Sequence, residues 1–144
     1  MSPSSPKDKV VMVVDDDKAV LFLFETHLSA AGFQVVLAAN GLDAASQIEK
    51  KAPDLIVVDR MMPGRSGYEL LLLLPSLGAR YAPIFVITGS SLDVSTVDMI
   101  KREARVQEFF TKPVDMPSFL AKVHHSLKTE PTGRPPERGI ADRS

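Results

Sequence analysis

Four apolar runs in this sequence end in side chains that could do chemistry together. The acidic triplet Asp15-Asp16-Asp17 directly follows Val10–Val14. Asp59 follows Leu55–Val58, Thr88 closes Ile84–Thr88, and Lys112-Pro113 follows Glu108–Thr111. Carboxylates gathered in one crevice repel, and their pKa values rise unless a cation sits among them. Ligands that are oxygen alone suit a hard divalent ion, foremost Mg²⁺ with several waters retained. Lysine adds a mobile cationic head and threonine a hydroxyl donor. Carboxylate, metal, lysine and hydroxyl make a site for phosphoryl transfer, where charge on three equatorial oxygens must be neutralised. Each feature alone is weak, and Asp17 reads better as the cap of the next helix. Their joint placement at strand ends is the specific signal.

The elements that must position them can be read from pattern. Val10–Val14, Phe33–Ala38, Leu55–Val58, Ile84–Thr88 and Glu108–Thr111 are short, β-rich and continuous rather than alternating in polarity. Such runs fit parallel strands covered on both faces. Helical segments alternate with them. Asn40 caps one through Lys51, Ser66-x-x-Glu69 is a capping box opening Gly67–Leu74, and Asp115 caps the last, to about Lys128. Pro53, Pro75 and Pro83 fall at boundaries, where a missing N–H does least harm. The alternation predicts a doubly wound α/β sandwich with a parallel sheet. Reactive groups in such a sheet collect beyond the carboxyl ends of the strands. If the second strand packs outside the first, the first and third are neighbours, and Asp15, Asp16 and Asp59 converge.

Composition limits the alternatives. The chain has 144 residues, 44% hydrophobic, with no Cys and a net charge of −1. Zero Cys removes disulfides, thiolate metal sites and a cysteine nucleophile, and fits a reducing cytoplasm. The charge balance argues against direct nucleic-acid binding. Apolar runs such as Val10–Val14 and Leu70–Leu74 are five residues, far short of the ~20 that span a bilayer. Residues 1–8 and 129–144, with Pro3, Pro6, Pro131, Pro135 and Pro136, read as flexible tails around a domain at 9–128. Sixteen further residues are too few for a helix-turn-helix.

The segments VVDDD (Val13–Asp17), DLIVVDRMMPGRSG (Asp54–Gly67), VITG (Val86–Gly89) and FFTKP (Phe109–Pro113) resemble the receiver domain of two-component response regulators. The resemblance covers residues 9–128 and implies a flavodoxin-like (βα)5 fold with sheet order 2-1-3-4-5, of the stand-alone CheY-like type. It implies Asp59 as phosphoacceptor, Asp16 as a direct Mg²⁺ ligand, Asp15 acting largely through water, and the backbone carbonyl of Met61 as a third protein ligand. It implies Thr88 as the switch hydroxyl, Lys112 as the lysine that contacts the phosphoryl group, and Phe109 as the aromatic that changes rotamer. A cis Lys112–Pro113 bond is also implied. The expected partners are a histidine kinase or histidine phosphotransfer protein and a downstream protein target. No turnover of an external substrate is expected. Met61 cannot orient an attacking water and Ser90 offers only a short hydroxyl, which predicts an acyl phosphate that outlasts one flanked by acidic or amide groups.

Some positions depart from the family pattern. Arg60 follows the acceptor where an apolar residue is usual, Ser66 stands where Asp is common, and Arg105 falls where Gly commonly ends the fourth helix. Val20–Phe24 and Leu70–Leu74 are each too long an apolar run for one helix face. Spacing assigns Val20, Leu23, Phe24 and His27 or Leu28 to the core, leaving Leu21 and Phe22 outside. Likewise Leu70, Leu71 and Leu74 face the sheet and Leu72 and Leu73 do not. Those four exposed residues are a candidate surface for a partner or a second copy. His27 reads as partly buried, and the adjacent His124 and His125 are not a chelating pair. Two other function classes compete: an unphosphorylated interaction module, and an aspartate-nucleophile phosphatase of the haloacid dehalogenase type. The second lacks the usual later acidic pair and room for a cap.

Overall fold

The computed structural model describes residues 5–59, 82–88 and 106–131. A short 3-10 turn, Pro6–Asp8, precedes β1 (Val10–Val14), α1 (Lys18–Ala30), β2 (Gln34–Ala38), α2 (Gly41–Lys50) and β3 (Leu55–Asp59). Then follow β4 (Ile84–Thr88), β5 (Val106–Thr111) and a helix, here α3 (Met116–Leu127). The strands form one sheet in the order β2-β1-β3-β4-β5, and every pairing is parallel. This is the flavodoxin-like α/β architecture that the sequence predicts.

Successive residues of a strand point to opposite faces, so each of the central strands feeds two cores. Met12, Val14, Ile56, Val58 and Val86 pack toward Ala44 and Ile48 of α2. Val11, Val13, Val57, Phe85 and Ile87 pack toward Leu21, Phe24 and Leu28 of α1 and Phe119 and Val123 of α3. A strand buried on both sides has no polar alternation, which is why these runs read as continuous.

Helix starts follow the sequence closely. Asp17 Oδ1 accepts from the Ala19 N–H at 2.9 Å, and Asn40 Oδ1 accepts from the Asp43 N–H at 2.8 Å. Asp115 stands at the N-cap of α3, but its carboxylate accepts from the Ser118 hydroxyl (2.7 Å) rather than from the backbone. Pro117, at the second helical position, has no N–H to offer. α1 ends through Gly32, whose φ of 102° favours glycine. The Phe33 N–H returns to the Leu28 carbonyl at 3.1 Å, so Phe33 belongs to this turn and not to β2. β5 starts two residues before the predicted Glu108. Ile84 pairs with Val106 but Phe85 pairs with Glu108, leaving Gln107 as an extra residue in the strand.

The apolar face of α1 is a correction. Leu21 is buried, with 8% of its surface exposed, while Leu23 is 46% exposed and Phe22 69%. Leu21, Phe24 and Leu28 form the i, i+3, i+7 stripe, turned about one residue from the predicted one. Five consecutive apolar residues leave the phase open. Packing against β1 and α3 decides it. Pro6 and Thr129, which composition assigns to the tails, are both buried. The capping box at Ser66, the helix Gly67–Leu74, Leu72 and Leu73, Arg60, Met61, Ser90 and Arg105 lie outside the described residues.

Candidate functional site

β1 and β3 are direct neighbours, and Val14 pairs with Val58. The next residue on each strand is an aspartate, so Asp15 and Asp59 leave adjacent strands at the same end and the same level. The Asp15 N–H still belongs to the sheet, donating to the Ala38 carbonyl at 3.0 Å. Its side chain is 1% exposed, and Oδ1 accepts from the Asp17 N–H at 2.9 Å. One carboxylate therefore shapes the turn that carries the other two acids, and Asp17 in turn caps α1. Asp16 projects from that turn into solvent.

The partner groups come from the next two strands. Asp59 pairs with Ile87, one residue before Thr88. Thr88 is 2% exposed and stands opposite Thr111. Lys112 is tied to it through the backbone, its N–H donating to the Thr88 carbonyl at 2.8 Å. The Lys112–Pro113 bond is cis. Phe109, half-buried, packs against the cluster on the α2 face. Phe110 turns the other way, its ring 5.3 Å from Phe119 and 5.5 Å from Phe85. Thus β1, β3, β4 and β5 all deliver a candidate residue to one edge of the sheet.

The donors at this edge are oxygens, from Asp15, Asp16 and Asp59. Hard divalent cations prefer such a set. A carboxylate as buried as Asp15 keeps its charge only beside compensating groups. Among the described residues no three His, Cys, Asp or Glu side chains are grouped for a metal, and the side chain of Asp59 is not one of those described.

Sequence reasoning missed a cavity of about 520 Å³ beside Lys112. Val20, Leu23 and Phe24 of α1 line one side, and Pro113, Val114 and Met116 the other. The apolar run of α1 was the available signal, but Val114 and Met116 are distant in sequence and meet it only through the sheet order. Asp54, predicted only as part of a motif, also has a definite task. Its Oδ2 accepts from the Val10 N–H (2.8 Å) while its N–H donates to the Val10 carbonyl (2.8 Å).

A doubly wound parallel sheet with its polar residues gathered at the carboxyl edge of β1, β3, β4 and β5 defines a flavodoxin-like α/β protein with one edge-on site. Within that class the chain belongs to the response regulator receiver domain family, whose model matches residues 11–124. The family works in phosphorylation-dependent two-component signalling, and its members are generally signalling modules rather than enzymes that turn over a substrate. Among solved structures, the chain is similar to a CheY-like response regulator receiver domain protein from Methanospirillum hungatei. The two are 27% identical with a TM-score of 0.72, over 83% of this chain and 93% of that one. The chemotaxis protein CheY4 of Vibrio cholerae shares the fold at 23% identity and TM-score 0.72, over 83% and 98%. So does the receiver domain of a sensor histidine kinase from Pseudomonas aeruginosa, at 21% identity and TM-score 0.72, over 83% and 97%. That structure has magnesium coordinated in its active site cleft. Among the described residues no helix is long and apolar enough to cross a membrane.

Proposed function

We propose that this chain is a Mg²⁺-dependent switch that accepts a phosphoryl group on Asp59 from a phosphohistidine and signals through protein contacts. The observation that carries this reading is the Val14–Val58 pairing, which brings the acids after β1 and the aspartate ending β3 to one edge. A carboxylate oxygen of Asp59 attacks phosphorus, the bond from phosphorus to the imidazole nitrogen breaks, and the imidazole leaves neutral once protonated elsewhere. Asp15, Asp16, Asp59 and the Met61 carbonyl would hold Mg²⁺. The ion supplies the positive charge that lets anionic donor and acceptor approach. Lys112 neutralises a phosphoryl oxygen, and Thr88 donates its hydroxyl to another. Movement of Thr88 makes room for Phe109 to rotate, a local charge change that biases a two-state element.

The exposed part of α1 fits the docking of the protein that brings the phosphoryl group. Phe22 and Leu23 are exposed, and the cavity between α1 and the segment after β5 opens beside Lys112. A large aromatic next to an apolar recess is the kind of anchor that carries binding energy. A histidine kinase or histidine phosphotransfer protein is the expected donor.

Intact-mass spectrometry with a small acyl phosphate, with and without Mg²⁺, tests the reading. The mass of one phosphoryl group should appear only with Mg²⁺, and Asp59→Asn should lose it. Labelling of that variant at the normal rate would assign the acceptor elsewhere. Met61→Asn should shorten the lifetime of the phosphorylated species, because an amide there can orient the attacking water.

A further inference from the structure

At the end of the sheet away from the acidic edge, α3 closes on a polar cluster with no part in phosphoryl transfer. His124 is 8% exposed and Thr129 7%. The Nδ1 of His124 and the hydroxyl oxygen of Thr129 are 2.8 Å apart, and the Thr129 N–H donates to the His124 carbonyl at 3.0 Å. Phe33, from the turn between α1 and β2, seals the other side, its ring centroid 5.1 Å from that of the imidazole. Lys128, between the two, is left-handed (φ 56°, ψ 47°). A lysine takes that conformation where its neighbours are held.

We infer that His124 and Thr129 form a proton-released clasp, closed while the imidazole is neutral and opened by protonation, which sets whether the segment Thr129–Pro131 is held against the domain or free.

The neutral ring suits the site. One nitrogen meets the hydroxyl, and the rest of the ring packs on Phe33. Burial strips water from the imidazole and lowers its pKa from the ordinary 6.5. A proton would place a charge in this pocket, and among the described residues no carboxylate pairs with the ring. The charged and titratable groups on the surrounding elements are few. α1 carries half-buried Glu25 and His27 in its second half and exposed Lys18 at its start, and the turn Ala31–Phe33 carries none. α3 and its cap carry exposed Lys122, His125 and Lys128, and the lysine charges would oppose a further cation. Beyond Thr129 stands exposed Glu130. The direct relief is to break the contact with Thr129 and turn the ring toward water. Thermodynamic linkage makes this quantitative. If closing the clasp weakens proton affinity about tenfold, protonation favours opening about tenfold.

Because the chain has no Cys, a thiol-reactive fluorophore on Thr132→Cys reports on this junction alone. In the 144-residue chain its anisotropy should fall between about pH 7.5 and about pH 5. The midpoint should lie below that of a free imidazole and coincide with the His124 ring titration followed by NMR. Far-UV circular dichroism should be unchanged. His124→Asn, whose amide can stand in for Nδ1 without titrating, should hold the anisotropy high at both pH values. Should that variant fail to fold, Thr129→Val gives a second route, with low anisotropy at both pH values. A flat response in the parent protein overturns the proposal. So does the same fall in His124→Asn or Thr129→Val, which would assign it to His27, His125 or Glu130. A fall accompanied by loss of circular dichroism overturns it as well, because the event would then be global unfolding.

Discussion

The two ends of the sheet use polar residues in opposite ways. At the end where β1, β2 and β3 begin, polar side chains bind backbone or one another. Asp54 takes the Val10 N–H, Gln34 Nε2 donates to the Lys7 carbonyl at 2.8 Å, and the Lys51 ammonium meets Gln34 Oε1 at 3.0 Å. At the carboxyl end, aspartates crowd on neighbouring strands, and one of them is buried. The first arrangement fastens the start of the chain to the sheet. The second sets aspartates at the ends of adjacent strands, where like charges oppose stability unless a cation offsets them. Ligand sites of open parallel sheets lie at the carboxyl edge, and the two ends differ in side-chain chemistry in the sense that the proposed function requires.

The contrast can be broken most sharply at Asp59. Asp59→Asn should abolish phosphorylation while leaving the urea unfolding midpoint unchanged or higher, since one of several like charges is gone. A lower midpoint would show that the carboxylate serves the fold. Next in size is the pair of neighbours on α1. Leu21→Ala should cost about 2–5 kcal/mol of stability, as for a buried leucine. Phe22→Ala should stay within ~0.5 kcal/mol yet slow transfer from a protein donor, with no effect on labelling by a small phosphodonor. At the opposite end, Asp54→Ala leaves the Val10 N–H unsatisfied and should cost about 1–3 kcal/mol without changing the phosphorylation rate. The smallest effect is that of pH. Burial lowers the pKa of His124, so between that lowered value and 6.5 the unfolded chain binds a proton that the folded chain does not. Stability should therefore fall as pH drops below about 6.5, and His124→Asn should remove that part of the dependence in denaturant titrations.

Much of the framework was legible because it depends on local rules. Val10–Val14 and Ile84–Thr88 match the observed strands end for end, since both are buried on two faces and bounded by charged residues, Pro or Gly. Asn40 and Asp17 were readable as caps because capping joins residues two or three apart. The order of candidate residues along the strands was readable for the same reason. What was not legible depends on other elements. The phase of α1 is decided by packing against β1 and α3, so Leu21 and Leu23 exchanged places. The extra residue at Gln107 hid the start of β5, because Val106-Gln107 reads as loop until the pairing of Val106 with β4 is known. For His124 the sequence offered only that it and His125 are not a chelating pair. Its burial needs Phe33, about ninety residues earlier in the chain, and Thr129 from the segment beyond α3.

One detail at the sheet margin bears on assembly. β2 is an edge strand, and its centre is Val35-Val36-Leu37. An apolar edge of this kind is a template on which another chain can add a strand. Here α2 reaches over it. The Gln47 Nε2 donates to the Leu37 carbonyl at 2.7 Å, and Asp43 Oδ2 accepts from the Ala39 N–H at 3.0 Å. An incoming strand would have to displace both. The helix that completes one crossover thus also blunts polymerisation at that margin, so high protein concentration need not lead to edge-to-edge stacking there.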